Sequence, residues 1–126
     1  MYGQLIEQAE RYLRSLYAQD NIAAQLKRML VELLAAGEAN ADAACCQLKL
    51  SRRTLQRRLR AEKTSFQKVL QEVRAVLAVN YLSDERLKSL EIAMLLGYSN
   101  ISTFTTAFKS WYDMPPAAYR HKILGV

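Results

Sequence analysis

The chain has 126 residues, 51% apolar and 24% charged, enough for one helical domain or two very small units sharing a core, and too ordinary in composition for disorder. Eighteen basic residues against twelve acidic ones leave a formal net charge of +6, which points to a polyanionic partner: nucleic acid or an anionic membrane surface. No apolar run approaches a membrane span, and Met1 to Arg11 lacks a cationic stretch followed by an apolar one, so a cytoplasmic chain is expected.

Leu5, Ile6, Ala9, Tyr12, Leu13, Leu16 and Tyr17 recur at helical spacing and predict a helix over about residues 3–18. Asp20 and Asn21 punctuate. A second helix carries Ile22, Leu26, Met29, Leu30, Leu33 and Leu34 and closes at Gly37. Asn40 caps a short third helix through Gln47, and Ser51 caps an arginine-rich fourth. The longest element runs from Ser65 to about Leu82 on the stripe Phe66, Val69, Leu70, Val73, Leu77 and Tyr81, and Ser83-Asp84 ends it. Leu87 to Leu96 predicts a short helix, Gly97 a joint, Ser99 a cap, and a further helix reaches about Trp111. Asp113 to Pro116 forms a turn, and Pro116 to Lys122 a last helical turn or two. Nothing reads as a strand; the expected fold is all-α.

Catalytic chemistry has no foothold. Cys45 and Cys46 are adjacent, about 100° apart on a helix, so they do not form an intramolecular disulfide; Cys45 reads as a small buried side chain. His121 is the single histidine, and no spacing offers a metal site. There is no phosphate loop, nucleophile elbow or facing carboxylate pair. No enzyme, no cofactor and no metal are expected.

Charge is concentrated. Between Gln47 and Leu70 stand Lys49, Arg52, Arg53, Arg57, Arg58, Arg60, Lys63 and Lys68 against one acid, Glu62, a local +7. With Leu55 and Leu59 turned to the core, Arg53, Arg57 and Arg60 fall within about 60° of the opposite pole. Arginine at that pole suits guanine O6 and N7 in a major groove, so these three are the expected base readers. Arg52, Gln56 and Arg58 lie on the flanks, where phosphates are met, and Ser51 stands at the helix start. An arginine-rich face that is merely solvated normally carries interspersed acids, and this one does not.

A repeat accompanies the cluster. Leu48-Lys49-Leu50-Ser51 corresponds to Leu96-Gly97-Tyr98-Ser99, 48 residues later, and with one inserted residue Leu55 and Leu59 match Phe104 and Phe108. Each copy is short helix, tight joint and capped second helix, the helix-turn-helix pattern. In the second copy Ser102, Thr106 and Lys109 face outward with Thr105 beside them; Ser102 and Thr106 are the expected base readers, Thr105 and Lys109 the phosphate contacts. Ser99, Asn100 and the free amides at that helix start suit a further phosphate. Phe104, Phe108, Trp111, Tyr112 and Tyr119 are spaced as core, which is favoured over a stacking platform for single strands.

The stretch SRRTLQRRL over Ser51–Leu59, Phe66, Arg74 with Ala78 and Leu82, Glu91–Tyr112 (EIAMLLGYSNISTFTTAFKSWY) and Pro115–Arg120 (PPAAYR) resembles the DNA-binding domain of AraC/XylS-type bacterial transcription regulators. The resemblance covers about residues 38–122, with the helix before Gly37 matching the family's first. It implies seven helices, with two helix-turn-helix units on a linker helix reading two successive major-groove segments of an asymmetric site. Arg53 and Arg57 are base readers by this resemblance too. It further implies an activator with RNA polymerase as protein partner. The domain usually follows a ligand-sensing or dimerising domain, so residues 1–20 are expected as an extra N-terminal helix or a remnant of the link to it. The layout is then 21–64 for the first unit, 65–83 for the linker helix and 84–122 for the second unit. The isolated domain is expected as a monomer and the full-length protein as a dimer through the missing domain. The family commonly has glycine where Lys49 stands, and often where Lys63 and Asp113 stand; Lys49 is therefore expected at positive φ, and Lys49→Gly should raise thermal stability. The second recognition helix lacks the outward arginine frequent in the family.

From Glu91 to Asp113 one base, Lys109, meets two acids, a local −1. The first unit should therefore dominate binding. A linker helix of about 16 residues spans only about 24 Å, against ~34 Å between successive grooves, so the second unit should engage partly or on the best sites. The competing class is a helical protein–protein adaptor whose basic patch meets an acidic partner. Membrane attachment is disfavoured, because the Leu55/Leu59 stripe is too narrow.

Overall fold

The computed structural model describes residues 21–125. Among the described residues there are seven helices and no strand. They are α1 (Ile22–Ala35), α2 (Ala41–Leu48), α3 (Arg52–Ala61), α4 (Phe66–Leu82), α5 (Ser89–Leu95), α6 (Ile101–Tyr112) and α7 (Pro116–Leu124). The helix expected over residues 3–18 lies outside the described residues. Two compact units form, dividing between Val73 and Arg74 inside α4.

In the first unit α1 packs on α2 and α3, and α2 on α3. The apolar period of α1 places Leu26, Leu30 and Leu33 in its core, and α3 contributes only Leu55 and Leu59. Cys45 is buried and Cys46 exposed, each a free thiol. Val69, Leu70 and Val73 of α4 are buried with this unit, and Ser65 caps that helix by accepting from the Lys68 amide at 3.2 Å.

The second unit is built around aromatic rings. Phe104 and Phe108 are fully buried with Ala78, Leu82, Ile92 and Leu96. Phe108 has ring neighbours in Phe104 (5.9 Å), Trp111 (6.2 Å), Tyr112 (4.9 Å) and Tyr119 (5.5 Å), mostly edge-on or tilted, the arrangement the ring quadrupole favours. These rings are core rather than a stacking surface. Pro116 opens α7 at its first position, where a missing N–H loses nothing, and is itself buried.

Two expected boundaries are corrected. The helix expected from Leu87 begins at Ser89, because Asp84 holds the preceding residues in a turn. Its carboxylate accepts from the Arg86 amide at 3.0 Å and its carbonyl accepts from the Leu87 amide at 3.0 Å. Ser99 is not the cap of the next helix: Asn100 is, its Oδ1 accepting from the Thr103 amide at 2.8 Å and the Thr103 hydroxyl at 3.0 Å. Either side chain can cap. The inserted residue of the second copy falls inside the turn, so the counterpart of Ser51 is Asn100.

Candidate nucleic-acid interface

The two copies of the repeat build the same local structure. Lys49 and Leu50 send their amides to the carbonyls of Cys46 and Cys45; 48 residues on, Gly97 and Tyr98 send theirs to Met94 and Ala93. The capped helices that follow bury Leu55 and Leu59 in one copy and Phe104 and Phe108 in the other. Each unit is thus a helix-turn-helix whose second helix presents its polar side to solvent.

On α3 that side is cationic. Arg52, Arg53, Gln56, Arg57, Arg58 and Arg60 are all exposed, as are Lys63 and Lys68 beyond the helix. Arg52 lies 3.6 Å from the Asp42 carboxylate, with both side chains mostly in water, a contact that solvent screens heavily. Among the described residues no ion pair forms at Arg53, Arg57, Arg58 or Arg60. Ser51 works as the cap: its Oγ accepts from the Thr54 amide at 3.1 Å and donates to Thr54 Oγ1 at 2.9 Å.

Glu62 carries a part that its place in the sequence did not reveal. It is the lone acid of the cluster, and its carboxylate is turned to the start of α1, accepting from the amides of Ile22 (3.0 Å) and Ala23 (3.1 Å). The cationic surface is therefore left without an internal counter-charge on α3. Its partners lie 40 and 39 residues away, so only a hint existed beforehand: one acid in a run of eight bases.

On α6 Ser102, Thr106 and Lys109 are exposed and Thr105 is half-buried. The Thr106 hydroxyl donates to the Ser102 carbonyl at 3.0 Å. Ser99 is exposed in the turn, and Asn100 combines capping with a long contact from its Nδ2 to Ser99 Oγ at 3.5 Å. This surface is polar and nearly uncharged. Behind it, Arg74 of α4 donates from Nε to the Leu96 carbonyl at 2.7 Å and lies 4.6 Å from the Tyr98 ring centroid, bracing the turn between α5 and α6.

Among the described residues no group of His, Cys, Asp and Glu could hold a metal, and no helix is long and apolar enough to cross a membrane. Two capped helix-turn-helix units among the described residues, one with a cationic second helix, fall in the helix-turn-helix class of DNA-binding domains. Residues 44–122 match the family model described as a helix-turn-helix domain. The chain is similar to the ornithine utilization regulator of Pseudomonas aeruginosa, 36% identical over 115 residues, 90% of this chain and 33% of that protein. It is also similar to the HTH-type transcriptional regulator VirS of Mycobacterium tuberculosis, 34% identical over 114 residues, 89% of this chain and 34% of that protein. The crystal structure of a DNA-binding transcriptional dual regulator from Escherichia coli K-12 aligns with a TM-score of 0.77 at 25% identity, covering 82% of this chain and 99% of that one. The chain belongs to the AraC-type helix-turn-helix family of DNA-binding transcription regulators. It spans about a third of the length of the two curated relatives named.

Proposed function

We propose that the chain binds double-stranded DNA sequence-specifically, with α3 as the dominant reader and α6 as a weaker second one, on two successive major-groove segments of an asymmetric site. The observation that carries this reading is the exposed arginine face of α3: Glu62 is engaged elsewhere, and Asp42 meets only Arg52, in a solvent-screened contact. Arg53, Arg57 and Arg60 are the base readers there, with Arg52, Gln56, Arg58 and Ser51 toward the phosphates. Ser102 and Thr106 read in the second unit, flanked by Thr105, Lys109, Ser99 and Asn100. Phosphate neutralisation supplies most non-specific affinity, so the segment 47–70 at +7 outweighs the segment 91–113 at −1.

The larger protein of which this would be the DNA-binding part is an activator that contacts RNA polymerase and dimerises through another domain. Residues 21–64 form its first unit, 65–83 the linker helix and 84–122 the second unit. Selection of bound sequences from a random duplex pool, followed by footprinting, tests the reading. A defined motif with strong protection over one half-site and weaker protection over the other is expected. Equal protection of both halves would remove the asymmetry. Absence of any sequence preference, with capture of an acidic protein instead, would favour an adaptor.

A further inference from the structure

Among the described residues, four helices end in the same hydrogen-bonded turn. After α1 the amides of Gly37 and Glu38 return to the carbonyls of Leu34 and Leu33; after α3 those of Lys63 and Thr64 return to Arg60 and Leu59. The ends of α2 and α5, at Lys49 and Gly97, close in the same way. This is the Schellman closure, which needs a left-handed residue at its centre. The four residues have φ of 74° (Gly37), 58° (Lys49), 62° (Lys63) and 88° (Gly97).

Glycine enters that region freely, whereas a residue with a β-carbon does so at a steric cost. Two of the four turns use glycine and two use lysine. Lys49 and Gly97 hold the same place in the two copies of the repeat, with hydrogen-bond partners 48 residues apart throughout. The turn therefore closes without a lysine. Lysine also lacks the short polar side chain by which asparagine or aspartate offsets the strain locally. The hydrogen bonds of the turn do not themselves call for a lysine at either place.

Lys49 and Lys63 are both exposed, and among the described residues neither ammonium is ion-paired. Lys49 stands two residues before the cap of α3, and Lys63 directly follows its C-terminal cap, Glu62. The third left-handed non-glycine residue, Asp113, follows α6 and is acidic. Among the described residues, cations in left-handed turns are thus confined to the two ends of the arginine helix.

We propose that Lys49 and Lys63 are phosphate-binding residues, one at each end of α3, held at strained turn positions for their charge. The proposal rests on the DNA-binding reading of α3. A helix seated in a major groove has backbone phosphates at its margins, and contacts there position the protein without reading sequence. Each neutralised phosphate adds about 0.9 to the slope of log affinity against log salt.

The test uses the 126-residue chain, a duplex carrying its selected sequence and a scrambled duplex, titrated across a salt series. Lys49→Asn and Lys63→Asn remove the charge while tolerating the left-handed backbone; Lys49→Gly and Lys63→Gly remove charge and strain together. Each single replacement should lower the salt slope by about 0.9 and the double replacement by about 1.8, alike on both duplexes. The glycine variants should also melt a few degrees above wild type, which keeps the measurement free of misfolding. Unchanged slopes in the asparagine and glycine variants overturn the proposal, as does a loss confined to the selected sequence. A lower melting temperature for both glycine variants also overturns it, because the lysines would then belong to the turn. A wild-type chain that binds no duplex removes the DNA reading itself, and this proposal with it.

Discussion

The Glu62 carboxylate accepts a hydrogen bond from the backbone amide of Ile22, 40 residues earlier, at 3.0 Å. Its other oxygen takes the Ala23 amide at 3.1 Å, and Asn21 Oδ1 takes the Ala24 amide at 2.8 Å. The first three orphan donors of α1 are thereby satisfied, with an anion at the positive end of the helix dipole. This contact joins the end of α3 to the start of α1 within the first unit.

Glu62→Ala should therefore destabilise the first unit by about 1–2 kcal/mol, since it strands two amides at a helix start. Glu62→Gln should lose roughly half as much, because one amide oxygen still accepts. Urea unfolding at neutral pH measures both. A midpoint unchanged in Glu62→Ala would show that water replaces the carboxylate at no cost.

Arg74 makes two contacts that depend on a flat guanidinium: the 2.7 Å bond to the Leu96 carbonyl and the stack on Tyr98. A charge-assisted hydrogen bond and a half-buried cation–π contact together suggest a loss of about 2–3 kcal/mol for Arg74→Ala. Arg74→Lys should recover less than half, because an ammonium cannot donate along that line and stack at once. Thermal unfolding of the three chains decides; a lysine variant as stable as wild type would mean the charge alone matters.

Arg53→Ala and Arg57→Ala should each weaken specific binding by about 1–3 kcal/mol and relax preference at one or two base positions. Arg58→Ala should weaken all sequences alike. The double replacement of Ser102 and Thr106 by alanine should lower affinity less than about tenfold, since the Thr106 hydroxyl already donates within its own helix. Affinities on the selected duplex and its single-base variants test this. An Arg57→Ala chain with its preferences intact would displace base reading from that residue.

Tyr112 donates from its hydroxyl to the Ala75 carbonyl at 2.7 Å, tying α6 to α4. Burial, and then the neighbouring Tyr119 phenol, push its pKa up to about 12. An unfolded phenol titrates near ~10, so the folded state holds this proton more tightly. The resulting stability is complete below about pH 10 and is lost as pH rises through about 12. Tyr112→Phe should be weaker by about 1 kcal/mol at pH 7. It should then lose less than wild type between pH 7 and pH 11 in urea unfolding. Parallel losses in the two chains would mean that another group governs the alkaline limb.

Much of this architecture was legible beforehand because it is local. The apolar period of Leu26, Leu30 and Leu33, the capping side chains of Asn40 and Ser51, and the aromatic spacing of Phe104 and Phe108 each depend on a few neighbouring residues. The left-handed turn at Lys49, with φ of 58°, was expected from the family resemblance, since the family commonly has glycine there. Boundaries were less secure where two neighbours could do one task. Ser99 and Asn100 are both capable caps, and only the hydrogen bonds of Thr103 separate them.

By itself, then, the sequence determined the seven described helices, the repeated helix-turn-helix and the cationic face of α3, since period, turn chemistry and charge are properties of short segments. Only the tertiary structure decided that Glu62 faces Ile22, that Arg74 braces Leu96, and that Tyr112 reaches Ala75. Those partners lie 22 to 40 residues apart, and no spacing rule relates them. Packing brings each donor to an acceptor that would otherwise be left unsatisfied, and that requirement is visible only once the chain is folded.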